Sequence, residues 1–204
     1  EIYQCDWSSD VCSSDLNEIS AILKDARQTI PSTLGLCWAG FVMAYLEGVN
    51  KFNYDQKLFG VFELKNLAPA HPIVGELDDI FFCPQSRHAG IPDEAMEEAA
   101  NDGRLKLLAY GKEAGYSIFS TSDDRFIAHT GHPEYNATRL ADEAKRDHGN
   151  PDVPPPVNFD FMEPLNRWRS HRNTFFTQWV SYCYLKISTH DMSVKKDFMA
   201  SPTD

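Results

Sequence analysis

Leu34-Gly35-Leu36-Cys37-Trp38-Ala39-Gly40 is the stretch on which the fold turns. Thr33 to Leu36 is a short apolar segment suited to a buried strand. After Cys37, residues Ala39, Val42, Met43 and Leu46 fall at i, i+3, i+4 and i+7, the spacing of a helix that stops at Gly48. Cys37 therefore occupies a strand-to-helix turn, and Gly35, Ala39 and Gly40 are the small neighbours that a tight turn needs. The partial positive charge of a helix N-terminus favours a thiolate. The backbone N–H of Trp38 can point at an oxyanion. A buried thiol at such a turn is ordinarily a small hydrophobe. It becomes a candidate nucleophile when a histidine and a carboxylate follow in the right order.

Both follow, in Thr130-Gly131-His132-Pro133-Glu134. A strand is expected over Phe126 to Thr130, and in extended geometry residues i and i+2 face one side. Glu134 could then hold the His132 imidazole toward Cys37. The alternative is that Gly131-His132-Pro133 is only a turn and Glu134 a first-turn carboxylate of the next helix. A metal-ligand set of His129, His132 and Glu134 is weak, because i and i+3 on a strand face opposite sides.

The remainder of the chain fits one α/β domain. Its 204 residues are 42% hydrophobic and 24% charged, as in a soluble globular protein. The formal net charge of -11 argues against nucleic acid or an anionic membrane as partner. The uncharged run from Ile30 to Leu46 is shorter than the roughly 20 residues of a membrane helix and is interrupted by Pro31 and two glycines. Five cysteines without a CxxC pair fit a reducing, cytoplasmic setting. Residues 7–16 carry a tandem Ser-Ser-Asp repeat that resembles translated sequencing-adapter DNA, so residues 1–16 are expected to be a foreign tail. Cys5 and Cys12 fall within it.

Helices are expected over Asn17 to Thr29 and from Glu134 onward, with Ala137, Leu140, Ala141 and Ala144 on one face. A last helix is expected over Asn173 to Ile187, with Phe176, Trp179, Val180 and Cys183 on one face. Strands are expected at Phe59 to Leu64, Asp79 to Phe82, Leu105 to Tyr110, Tyr116 to Ser120 and Phe126 to Thr130. Short turns between the last three suggest antiparallel neighbours. Residues 191–204 read as a flexible tail, and no linker divides 17–190.

Four motifs together resemble the homoserine O-succinyltransferase family of homoserine O-acyltransferases. They are Thr33-Leu34-Gly35-Leu36-Cys37-Trp38-Ala39, Pro84-Gln85-Ser86-Arg87, Thr130-Gly131-His132-Pro133-Glu134-Tyr135 and Trp168-Arg169-Ser170-His171, in the family's order. The resemblance implies a three-layer αβα fold like class I glutamine amidotransferases, with a flavodoxin-like sheet. It implies ping-pong acyl transfer in methionine biosynthesis, from acyl-coenzyme A (succinyl or acetyl) through an acyl-Cys37 thioester to the γ-hydroxyl of L-homoserine. Cys37 would be the nucleophile, His132 the general base and acid, and Glu134 its orienting carboxylate, with the Trp38 amide in the oxyanion hole. Ser86 and Arg87 would bind substrate, as would Arg146, matching an arginine for the amino-acid carboxylate, and Lys57, matching a pocket lysine. Trp168 and His171 read as packing residues. The resemblance implies no bound cofactor and no metal, and it allows a homodimer. Family members have a long segment before the nucleophile, so an N-terminally incomplete fold with reduced or no activity is expected. The rival readings are a class I glutaminase, from whose G-x-C-x-G pattern Ala39 departs, and a non-catalytic domain of the same fold.

Overall fold

The computed structural model describes residues 11–199 except residue 152, with side chains over 16–187. Residues 1–10 of the expected foreign tail, including Cys5, and residues 200–204 of the expected flexible tail lie outside the described residues, as does the side chain of Cys12. In chain order the elements are α1 (Val11–Thr29), β1 (Thr33–Leu36), α2 (Trp38–Leu46), β2 (Phe52–Asn66), β3 (Ile80–Gly90) and α3 (Asp93–Asn101). Then come β4 (Leu105–Gly111), β5 (Gly115–Thr121), β6 (Phe126–His129), α4 (Ala137–Arg146) and α5 (Arg169–Met199).

One six-stranded sheet runs in the order β1-β6-β5-β4-β2-β3. Among the named strands only β1 and β6 pair in parallel, Thr33 with Phe126 through Leu36 with His129. The remaining pairs are antiparallel, including β4 with β5 and β5 with β6, as the short turns between them required. The sheet is thus mixed, with the antiparallel neighbours expected from the sequence set into a larger sheet.

Alternation along the strands builds the layers. Ile118 and Ile127 pack with Phe62, Leu64, Phe81 and Phe175 of α5. Their neighbours Phe119, Phe126 and Ala128 pack with Phe41 and Met43 of α2 and Met96 and Ala99 of α3. Helices therefore cover both faces. A third cluster joins Phe59 and Val61 of β2 to Leu140 and Ala144 of α4 and to Trp168.

Four elements, β2, β3, α3 and α5, depart from the sequence expectation. β2 and β3 run well beyond Phe59 to Leu64 and Asp79 to Phe82, because Phe52 and Asn53 pair with Gly90 and Ala89 across an irregular stretch that ends at Leu58. The polar run Asn53 to Lys57 hid this extension. α3 is too acidic to show an apolar stripe, yet Met96 and Ala99 bury it and Asp93 and Glu94 suit its first turn. α5 starts at Arg169 and continues to Met199. Phe176 and Trp179 of the expected face pack against the core with Phe175 and Tyr182, and His171 is buried, whereas Val180 is 57% exposed and falls outside that face.

Candidate active site

The parallel register of β1 and β6 brings the Cys37 turn beside the His132 turn, since both strands end at the paired residues Leu36 and His129. Cys37 has φ 48° and ψ -111°, a left-handed conformation rare outside glycine. It costs on the order of 1–3 kcal/mol and persists because its surroundings hold it. The Cys37 N–H donates to the His129 carbonyl at 2.8 Å, and the Cys37 carbonyl accepts from the Gly40 N–H at 3.0 Å. The next amide is that of Trp38, the first residue of α2.

Close approach explains one of the two glycines in this turn. A Cβ on Gly35 would lie 2.7 Å from Met43 Sδ and 3.0 Å from the Ala39 carbonyl carbon. On Gly40 a Cβ would meet Ala128 at 3.6 Å, an ordinary contact, so sterics do not demand a glycine there.

β6 ends at His129, so His132 and Glu134 stand in a turn and not on the extended strand that the i, i+2 argument assumed. The turn still joins them: His132 Nδ1 lies 2.6 Å from Glu134 Oε1. The His132 N–H donates to the Pro84 carbonyl at 2.8 Å, and the ring stacks on Tyr135 at 4.2 Å between centroids. Burial pulls the His132 pKa down, but hydrogen bonds with Cys37 and Glu134 outweigh it, and the pKa is pushed up to about 10. With Nδ1 on Glu134, the Cys37 bond falls to Nε2.

The expected substrate residues fall into three settings. Lys57 is buried, its Nζ 2.9 Å from Asp147 Oδ2 and 4.3 Å from the Phe59 ring centre. Arg146 grips the same carboxylate, with Nε 2.6 Å from Oδ1 and Nη2 2.9 Å from Oδ2. The Arg146 bonds, helped by Lys57 against the opposing effect of burial, hold the Asp147 pKa down at about 2. Ser86 Oγ donates to Glu143 Oε2 at 2.6 Å, while the Tyr135 hydroxyl donates to Glu143 Oε1 at 2.8 Å. Tyr135 thus links the His132 ring to the Ser86 side of the site.

Arg87 stands in the third setting. It is 4% exposed and donates from Nε to Gln85 Oε1 (2.9 Å), from Nη1 to Tyr54 OH (3.0 Å) and the Ala89 carbonyl (2.5 Å), and from Nη2 to the Ala114 carbonyl (2.6 Å). Burial lowers its pKa, with the Tyr54 hydroxyl the main opposing influence. Its guanidinium is therefore committed largely to holding β3 to its neighbours.

Trp168 is fully buried and its Nε1–H donates to the Tyr135 carbonyl at 2.7 Å. His171 stacks on Phe81 at 4.3 Å. His129, considered above as a partner of His132 and Glu134, is instead turned into the core beside Cys83 and His171. Sequence reasoning missed Tyr135, Glu143 and Asp147. One signal was present: Glu143 falls within the buried stripe Leu140, Ala141, Glu143, Ala144, where a carboxylate needs partners.

The family model described as homoserine O-succinyltransferase matches residues 14–189. A homoserine O-acetyltransferase of Lachnoclostridium phytofermentans is 33% identical over 183 residues, covering 86% of this chain and 60% of the relative. A homoserine O-succinyltransferase of Proteus mirabilis is 34% identical over 183 residues, covering 86% and 58%. The chain thus spans about 60% of the length of the curated relatives it matches. Among solved structures, a glutamine amidotransferase from Methylobacillus flagellatus superposes with a TM-score of 0.62 at 14% identity, covering 82% of this chain and 69% of that one. One from Thermotoga maritima gives 0.57 at 15%, covering 84% and 67%. These two likenesses show the fold, class I glutamine amidotransferase-like α/β. With the family model matching most of its length, the chain belongs to the homoserine O-succinyltransferase family.

Proposed function

We propose that this site transfers an acyl group from an acyl-coenzyme A thioester through Cys37 to the γ-hydroxyl of L-homoserine. The observation that carries the proposal is His132, hydrogen-bonded both to Cys37 at a left-handed turn and to Glu134. His132 takes the Cys37 thiol proton, leaving the thiolate. The thiolate attacks the thioester carbonyl, and the Trp38 amide stabilises the tetrahedral oxyanion. The carbon–sulfur bond to coenzyme A breaks, and His132 gives its proton to the departing thiolate. Acylation removes the negative charge on Cys37 that helps hold the proton on His132, so the imidazolium becomes a stronger acid as the leaving group forms.

The second half runs in reverse. Neutral His132 takes the γ-hydroxyl proton, the oxygen attacks the acyl-Cys37 thioester, and Cys37 departs again as thiolate. Glu134 keeps the ring oriented and stabilises its charged form throughout. Ser86, Arg87, Arg146 and Lys57 are proposed to serve the substrate. Of these, Arg146 is about half exposed and bound through a single carboxylate, and so is the freest to turn toward an amino-acid carboxylate. The relatives' names include both acetyl and succinyl transfer, and either donor is compatible with this proposal. No described helix is long and apolar enough to cross a membrane, and a cytoplasmic enzyme acting on small molecules is proposed, with a homodimer as its assembly.

Incubation with acetyl- or succinyl-coenzyme A followed by peptide mass spectrometry should find the acyl group on the Cys37 peptide, discharged by added homoserine. Release of ammonia from glutamine with no acylation of Cys37 would favour the glutaminase reading. A Cys37→Ser variant that kept most of the transferase rate would refute the mechanism.

A further inference from the structure

Beneath the catalytic turns lies a polar cluster that the acyl-transfer mechanism does not use. Cys83 of β3, His129 of β6 and His171 of α5 are all buried, at 0%, 0% and 6% exposure. Their ligand-capable atoms lie within 4.8 Å of one another. Cys83 Sγ is 3.6 Å from His129 Nε2, which is 3.4 Å from His171 Nε2. The nitrogen pair is long for a hydrogen bond, whereas the sulfur contact is ordinary for a thiol, and Cys83 Sγ also lies 3.5 Å from the Pro84 carbonyl. His171 Nδ1 has no hydrogen-bond partner among the described residues. The trio is thus a buried polar network with His171 Nδ1 as its one unsatisfied nitrogen among the described residues.

The same separations suit coordination. Tetrahedral zinc with Zn–S near 2.3 Å and Zn–N near 2.0–2.1 Å places sulfur and nitrogen about 3.5 Å apart and two nitrogens about 3.4 Å apart. The geometry points to a Cys-His-His site, formed by Cys83, His129 and His171, for a thiophilic divalent cation such as Zn²⁺. Three different elements supply the ligands, so the ion would tie α5 to β3 and β6. Binding releases the Cys83 thiol proton to solvent, and the thiolate offsets half of the ionic charge.

Loading has a second requirement. His129 Nδ1 accepts a hydrogen bond from the Gly131 N–H at 3.1 Å, so the ring proton sits on Nε2, facing the cluster. A metal on Nε2 moves that proton to Nδ1, where it faces the Gly131 N–H and breaks the bond. Gly131 precedes His132, so occupancy of the buried site is coupled to the turn that carries the catalytic imidazole.

The test uses the Cys37→Ala chain, which removes the thiol of the Cys37, His132 and Glu134 constellation as a competing site. Titration with Co²⁺ under anaerobic, thiol-free conditions should give one equivalent of a species with a thiolate-to-cobalt charge-transfer band. Adding Cys83→Ala should abolish that band and weaken cobalt affinity by more than about 100-fold, with circular dichroism verifying that the double variant remains folded. Cys183→Ala should leave the band in place. In long-range ¹H–¹⁵N spectra the His129 proton should move from Nε2 to Nδ1 when Zn²⁺ is added. No charge-transfer band in the Cys37→Ala chain, or a band that survives loss of Cys83, would overturn the proposal. Neither readout depends on transferase activity, so failure here is distinct from failure of the acyl-transfer reading.

Discussion

Replacing Glu134 with Gln removes the charge from the bond that orients His132 while preserving its shape. In the wild-type site, burial opposes the imidazolium and two partners support it, Cys37 and Glu134, with the pKa pushed up to about 10. The 2.6 Å contact between His132 Nδ1 and Glu134 Oε1 is a charge-assisted hydrogen bond. Such bonds contribute about 1.5–3 kcal/mol. The Glu134 side chain is 36% exposed, so solvent screening reduces that to about 1–2 kcal/mol. At 1.36 kcal/mol per pH unit, the His132 midpoint in Glu134→Gln should fall by about one pH unit.

The direction of the stability effect follows from the raised pKa. The stabilisation from protonated His132 is fully present below the ordinary histidine value near 6.5 and is lost as pH rises through about 10. The Glu134→Gln variant should therefore be less stable than wild type by about 1–2 kcal/mol at pH 6, with the gap narrowing above pH 10. NMR titration of the His132 Cε1–H resonance measures the midpoint, and urea unfolding at the two pH values measures the gap. A midpoint that moves by less than about 0.3 pH unit, or an equal stability loss on both sides of pH 10, would refute the argument that Glu134 supports the charged ring.

Gly35→Ala should destabilise the chain by about 1–3 kcal/mol, because the new methyl meets the Ala39 backbone at 3.0 Å as well as the movable Met43 sulfur. Thermal unfolding reads the loss, and iodoacetamide should alkylate Cys37 more slowly as the start of α2 shifts. Arg87→Lys keeps the charge but cannot reach Gln85, Tyr54, Ala89 and Ala114 together, and a cost of about 2–4 kcal/mol in urea unfolding is expected. A variant within about 0.5 kcal/mol of wild type would show that these bonds are replaceable. Trp168→Phe removes the donor to the Tyr135 carbonyl and should cost about 1–2 kcal/mol by the same assay. It should also loosen the stacking of Tyr135 on His132, seen as a changed ring-current shift.

The parts of this molecule that could be read from the chain are those whose signal is local. β1, the Cys37 turn and α2 lie within fourteen consecutive residues, 33–46, and strand alternation and helical spacing both show there. His132 and Glu134 are two residues apart, and their bond survives although the strand expected beneath them ends early. α3 and the outer half of β2 were hidden because polar residues carry them, and their burial comes from neighbours supplied by the fold. The misplacing of Val180 on α5 has a similar cause: apolar residues surround much of the helix, so only contact with Phe81 and the sheet selects His171, Phe175, Phe176 and Trp179 as the inner side.

The rest of the site is nonlocal by construction. Ser86 meets Glu143 across 57 residues, and Lys57 meets Asp147 across 90, because α4 folds over the face of β2 that carries Phe59 and Val61. Glu143 and Asp147 stand four apart on or just beyond α4, so one helix face delivers both carboxylates to the sheet. Sliding that helix by a single turn would part Ser86 from Glu143 and Lys57 from Asp147 together. The fully buried Leu140 and Trp168, packed with Phe59 and Val61, set that register. Packing under α4 therefore governs how the two carboxylates meet β2 and β3, and through Tyr135 it reaches the ring of His132. Cys37, His132 and Glu134 are placed by two short turns at the ends of paired strands, whereas the Ser86–Glu143 and Lys57–Asp147 pairs are placed by the hydrophobic contacts that seat one helix.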